Sequence, residues 1–203
     1  LCTMAYLDHN ASTPLTPEVR AFMQECSGLF LGNPSSLHAE GVRARKVLEG
    51  ARARIATTLG AKPSEVVFTS GASEANQSAL SHMARDGQAI VTLATEHPAV
   101  LAPLEALDVP IRVLGVDAEG LIDLEELADA LVGASGLVAM GANNETGVIQ
   151  DLDGIAACVA ERGVAWHCDA VQLMRWGSID FQHGFAQHIT SLALSGHKLG
   201  APQ

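Results

Sequence analysis

Between residues 65 and 194, short apolar runs alternate with amphipathic stretches, and this alternation restricts the possible folds more than any other feature of the chain. Glu65–Thr69, Ala89–Leu93, Ile111–Val116, Leu137–Gly141, Val164–Cys168 and Ile189–Leu194 read as strands. Gly71 to about Arg85, Pro98–Leu107, Asp123–Leu131 and Asp151–Arg162 read as the helices between them, and Phe181–Gln187 as a further short helix. Strands that are apolar without alternation must be buried on both faces. The fold class is therefore α/β: a mostly parallel sheet covered by helices on both faces.

Ahead of this rhythm, Asp8-His9-Asn10-Ala11-Ser12-Thr13-Pro14 is rich in turn formers. Thr16-Pro17-Glu18 reads as N-cap, first-turn proline and acid, opening a helix to about Phe30. Gly32-Asn33-Pro34-Ser35-Ser36 interrupts, and a longer helix spans about Ala39 to Leu59. Its apolar face is read as Leu48, Ala51, Ile55 and Leu59, with Gly60 as its stop. No linker, repeat or low-complexity stretch divides the chain, so 1–14 reads as an N-terminal segment and 15–203 as one large domain. Met4 is a candidate natural start.

Hydrophobic residues make up 48% of the chain, enough for a sizeable core. The formal net charge of −11 argues against direct nucleic-acid or anionic-membrane binding. No apolar run approaches the roughly 20 residues of a membrane span. Cys2, Cys26, Cys158 and Cys168 are scattered and form no CxxC pair, which suggests a reducing, cytoplasmic setting and no zinc knuckle. His167-Cys168-Asp169 is a poor metal site, because neighbours on a strand point to opposite faces.

In open parallel sheets, ligands bind beyond the carboxyl ends of the strands. Five of the six expected strands end in residues capable of chemistry: Ser70-Gly71-Ala72-Ser73-Glu74, Thr95-Glu96-His97, Asn143-Asn144-Glu145-Thr146-Gly147, Asp169-Ala170-Val171-Gln172 and Ser195-Gly196-His197-Lys198. The first opens a helix, whose backbone N–H groups and Ser73 hydroxyl suit a phosphate, or form an ordinary N-cap. Lys198 beside Ser195 and His197 is how a chain holds an aldehyde cofactor as a Schiff base. Asp169 needs a cation, either a protonated pyridine nitrogen or a salt-bridge partner, unless it caps a helix. His97 suits stacking on an aromatic ring, proton transfer or a helix cap. Gln172 and Asn144 suit donation to a phenolic oxygen or stabilisation of their own turns. There is no Walker or GxGxxG pattern.

Seven segments in this order, Tyr6–Pro14, Gly32–Ser36, Phe68–Glu74, Thr95–His97, Asn143–Gly147, His167–Gln172 and Ser195–Lys198, resemble the cysteine desulfurases of the NifS/IscS type, within the class V aminotransferase group of pyridoxal-phosphate enzymes. The resemblance implies the large domain of a fold-type-I enzyme with pyridoxal 5′-phosphate as cofactor. It implies Lys198 as Schiff-base lysine, His97 stacked on the ring and active in acid–base steps, Asp169 on the ring nitrogen, and Gln172 and Asn144 near the phenolic oxygen. Ala72, Ser73, Ser195 and His197 would hold the phosphate; family members often carry Thr where this chain has Ser73. The implied reaction takes L-cysteine to L-alanine and leaves sulfur as a persulfide on a cysteine. A homodimer is implied, with an iron–sulfur scaffold or a tRNA-thiolation protein as sulfur acceptor.

None of the four cysteines matches the family's persulfide position, which lies downstream of the lysine. The expectation is a fragment carrying the cofactor half of the site, without the small domain and without the antiparallel strand the family places beside Ile189–Leu194. Two other functions fit the sequence: another class V aminotransferase or lyase, and a non-catalytic partner or dimerisation module.

Overall fold

The computed structural model describes residues 5–29 and 32–202. Cys2, Met4 and the expected helix end at Phe30 lie outside them. The chain divides into two compact units, Leu1–Phe68 with Gly196–Gln203, and Thr69–Ser195.

The first unit holds α1 (Pro17–Leu29) and α2 (Ala39–Leu59). Thr16 caps α1 as read, its Oγ1 accepting the Val19 N–H at 3.3 Å. Gly60 ends α2 at φ 65°, a left-handed conformation that glycine adopts without a Cβ clash. The buried positions of α2 are Gly41, Ala44, Ala56 and Leu59; Ile55 lies on the same face by helical spacing but is 37% exposed. Small residues let the neighbouring loop approach closely: a Cβ on Gly41 would lie 2.5 Å from the Ser36 carbonyl oxygen.

Glu65–Thr69 is not a strand. A 3-10 turn covers Pro63–Glu65 and irregular chain follows, with Val67 77% and Phe68 44% exposed. A β-prone run becomes a strand only when a neighbour accepts its backbone hydrogen bonds, and among the described residues none does. Arg52 holds the run instead, donating to the Val66 carbonyl and lying 4.9 Å from the centre of the Phe68 ring.

The second unit is the expected parallel sheet. Its helices are α3 (Ala72–Met83), α4 (Pro98–Glu105), α5 (Leu124–Ala130) and α6 (Leu152–Arg162). Its strands are β1 (Ala89–Leu93), β2 (Ile111–Leu114), β3 (Ala134–Val138), β4 (Ala165–Asp169) and β5 (Ser191–Ala193). The order is β2-β1-β3-β4-β5, every pair parallel. β3 begins three residues before the expected Leu137, and β2 is a short, partly exposed edge. The expected helix at Phe181–Gln187 is a 3-10 turn at Gly184–His188.

β1 is buried at all five positions, so both faces of the sheet are covered. On one face Leu80 and Met83 of α3 and Val100 and Leu104 of α4 pack with Ile90 and Val138. Gly136 makes room there: a Cβ would meet the Met83 Cε at 2.2 Å. Trp166 and Cys168 alternate with His167, which bonds to α3, and so point to the other face; Trp166 meets the ring of Phe185 there at 6.3 Å between centroids. Asp123 and Asp151 cap α5 and α6 by accepting first-turn N–H groups.

Candidate active site

The strand order reverses between β1 and β3, where parallel sheets open their ligand crevice. The crevice walls are joined by side chains. Glu96 Oε1 accepts the Met140 N–H at 2.6 Å, and Asn143 Nδ2 donates to the Thr95 carbonyl at 2.9 Å. Asn143 Oδ1 also gathers the N–H groups of Glu145 and Thr146, building the turn that carries Asn144. Asn144 is half-buried and donates to Glu145 Oε1 at 2.9 Å.

Glu96 is 4% exposed and its Oε2 has no hydrogen-bond partner among the described residues. Burial pushes its carboxyl from the ordinary 4.5 up to about 8, opposed by the Met140 N–H and assisted by the charge of Asp169. Glu96 is therefore a neutral acid at pH 7.

Asp169 ends β4 at 5% exposure. Its Oδ2 accepts Asn76 Nδ2–H at 2.8 Å and its Oδ1 the Val171 N–H at 3.0 Å. Both donors are neutral, and among the described residues no Lys, Arg or His forms an ion pair with it. A carboxylate so buried calls for a cation. The donor set therefore fits a protonated pyridine nitrogen. Gln172 follows, 5% exposed.

Asn76 also sets the direction of α3. It meets Asp169 and His167 at the carboxyl end of β4, while Met83, at the far end of the helix, lies over Gly136. Ala72 and Ser73 thus stand at the carboxyl edge of the sheet, with the positive end of the helix dipole. The Ser70 N–H is taken by Glu74 Oε2 at 2.6 Å, which holds that carboxyl below its ordinary range. Phosphate donors are therefore to be sought from Ala72 onward. Gly71 supplies no capping side chain.

His97 caps α4, its Nδ1 accepting the Ala99 N–H at 3.0 Å. That bond leaves Nε2 as the ring's N–H donor in the neutral form. Ser195 is buried at the end of β5. Ala72, Ser73, His97, Asn144, Asp169, Gln172 and Ser195 all belong to the second unit.

His197 and Lys198 belong to the first. They lie in a 3-10 turn, Gly196–Lys198, held by the N-terminal loop. Thr13 Oγ1 donates to the His197 carbonyl at 2.6 Å and accepts the Gly200 N–H at 2.8 Å. Lys198 Nζ donates to the carbonyls of Asn10 and Ala11. Burial and the neighbouring Lys198 charge both lower the pKa of His197. The turn-rich stretch before Pro14 is thus a clamp on the lysine turn.

Sequence reasoning gave no role to Thr13, Asn76 or Glu96. Glu96 alone carried a visible signal, an acid between a strand end and a helix start. Among the described residues no group of three or more His, Cys, Asp or Glu side chains could hold a metal ion. No described helix is long and apolar enough to cross a membrane.

Residues 5–203 match the family model described as Aminotransferase class-V. Cysteine desulfurase 2 of Trichormus variabilis is 38% identical over 99% of this chain and 52% of its own length. Cysteine desulfurase IscS of Neisseria meningitidis is 39% identical over 99% of this chain and 51% of its own. A solved structure described as SspA in complex with cysteine aligns at TM-score 0.90 and 33% identity, covering 98% of this chain and 59% of that one. A NifS-like protein from Rickettsia africae aligns at TM-score 0.88 and 33% identity, over 99% and 56%. The chain spans about half the length of the curated relatives it matches.

Proposed function

The chain belongs to the class V aminotransferase family, and from that membership we propose that it is the pyridoxal-phosphate-binding part of a cysteine desulfurase. The observation that carries the reading is Asp169, a buried carboxylate with only neutral donors. The family's cofactor, pyridoxal 5′-phosphate, supplies an electron sink for carbanion chemistry at an amino-acid substrate.

Each residue then has a defined task. Asp169 neutralises and orients the ring nitrogen. Lys198 offers its amine to the aldehyde and later moves protons; the Asn10 and Ala11 carbonyls orient Nζ. The N–H groups of Ala72 and Ser73, the hydroxyls of Ser73 and Ser195, and His197 bind the phosphate. His97, fixed by its capping bond, covers the ring and carries protons through Nε2. Asn144 and Gln172 donate to the phenolic oxygen.

L-cysteine as substrate, L-alanine as product and persulfide sulfur passed to an iron–sulfur or tRNA-thiolation acceptor belong to the same reading, as do a homodimer and a cytoplasmic setting. What supports the substrate is the naming of the relatives.

The test is spectroscopic. With pyridoxal phosphate added, a new visible absorbance band appears and is absent in Lys198→Ala. No band in the wild-type chain sinks the reading. L-cysteine should perturb that band more strongly than other amino acids. Conversion of an amino acid to its keto acid would instead favour an aminotransferase.

A further inference from the structure

Behind Asp169 lies a buried line of side chains that the cofactor reading does not use. Asn76 is fully buried and His167 is 1% exposed. Asn76 Nδ2 meets Asp169 Oδ2 at 2.8 Å, Asn76 Oδ1 meets His167 Nε2 at 2.9 Å, and His167 Nδ1 meets Ser191 Oγ at 2.8 Å.

The roles along this line follow from one end. A carboxylate only accepts, so the Asn76 amide nitrogen must face Asp169 and its oxygen must face His167. That oxygen also only accepts, so His167 Nε2 carries the hydrogen. The neutral imidazole then has a bare Nδ1, and the Ser191 hydroxyl donates to it. Burial lowers the His167 pKa from 6.5 to about 4, against the attraction of Asp169 and a bond with the Ser191 backbone, and so keeps the ring neutral. Every hydrogen points toward Asp169.

We propose that Ser191, His167 and Asn76 form a one-directional hydrogen-bond relay that holds the Asp169 side chain in a fixed orientation, making Asn76 a positioning residue for the cation Asp169 binds. That the cation is a pyridine nitrogen rests on the function proposed above; the relay rests on its own distances. Reversing any member would set two acceptors or two donors against each other, so the line has a single polarity.

Nitrogen-15 spectra of the histidine-labelled chain, without cofactor, test the relay. His167→Gln identifies the signal among the eight histidines. At neutral pH His167 should be the Nε2–H tautomer. In Asn76→Leu only Ser191 remains as partner, and the ring should switch to Nδ1–H. If that variant does not fold, Ser191→Ala serves: the Asn76 oxygen still accepts, so Nε2–H must persist. A charged or Nδ1–H ring in the wild type, or a switch in Ser191→Ala, overturns the relay.

Two ligands test the positioning role: pyridoxal phosphate and its analogue with carbon in place of the ring nitrogen. Asn76→Leu should weaken the first by about tenfold and the second by under about twofold, the loss of one hydrogen bond to a charged group. Equal losses would reduce Asn76 to a packing residue and overturn its positioning role. If the wild type binds neither compound, the cofactor reading fails, and the nitrogen-15 result still decides the relay.

Discussion

Glu96, just beyond the end of β1, accepts the backbone N–H of Met140 at 2.6 Å and buries its other carboxyl oxygen with no partner among the described residues. One side chain thereby joins the two strand ends where the sheet order reverses, and burial, against the pull of that bond, favours its protonated form.

Glu96 has a folded pKa of about 8 against the ordinary 4.5. The folded state therefore holds a proton that the unfolded state releases. This contribution to stability is complete below 4.5 and is lost as pH rises through about 8. Glu96→Gln keeps an oxygen for Met140 and cannot ionise. Urea unfolding should show the wild type losing stability as pH climbs from neutral through about 8, and the variant losing less. Parallel profiles would show that Glu96 is not the titrating group.

His167 works in the opposite direction. Its folded pKa of about 4 lies below the ordinary 6.5, so the neutral ring contributes fully above 6.5 and progressively less as pH falls through about 4. The two slopes oppose each other between 4.5 and 6.5. The wild type should therefore be nearly flat there. Glu96→Gln should expose a rise of roughly 3 kcal/mol across the histidine window, order of magnitude only, and His167→Gln a continuous fall. Identical slopes in wild type and His167→Gln would contradict this.

Gly136→Ala should destabilise the second unit. The new Cβ would lie 2.2 Å from the Met83 Cε, a flexible end that can move, and 2.7 Å from the Ala165 carbonyl oxygen, which cannot. Overpacking of this kind costs about 1–3 kcal/mol. Because the backbone contact remains, Met83→Ala should recover only part of the loss in thermal unfolding. Full recovery would place the strain in Met83 alone.

Thr13→Val should loosen the lysine turn. It removes the hydroxyl that bonds both the His197 carbonyl and the Gly200 N–H, a loss of about 1–2 kcal/mol. The band formed with pyridoxal phosphate should appear more weakly than in wild type, and Thr13→Ser should restore it. A Val variant that loads like wild type would remove Thr13 from the lysine's support.

Candidate site residues could be named from the sequence one by one, and the residues that bond to them could not. Asp169, His97 and Lys198 could be singled out because chemistry-bearing types follow apolar strands. Nothing local marked Asn76, which sits in α3 like an ordinary polar helix residue yet bonds Asp169 across 93 positions. Thr13 reads as a turn former, and its bond to His197 spans 184 positions. The sequence suits His97 and Asn144 each to a ligand role and a local one. The local one is present: a helix cap for His97 and a bond within its own turn for Asn144.

The sequence alone determined the α/β class, the parallel sheet and most helix limits. Those depend on periodicity and on caps such as Asp123, Asp151 and Gly60, which act within a few residues. Tertiary structure decided the strand order, the irregular path of residues 66–69, the burial of Glu96 and the polarity of the line behind Asp169. A strand needs a neighbour for its backbone, and a buried charge needs partners brought from elsewhere in the chain. Neither requirement leaves a trace in local sequence.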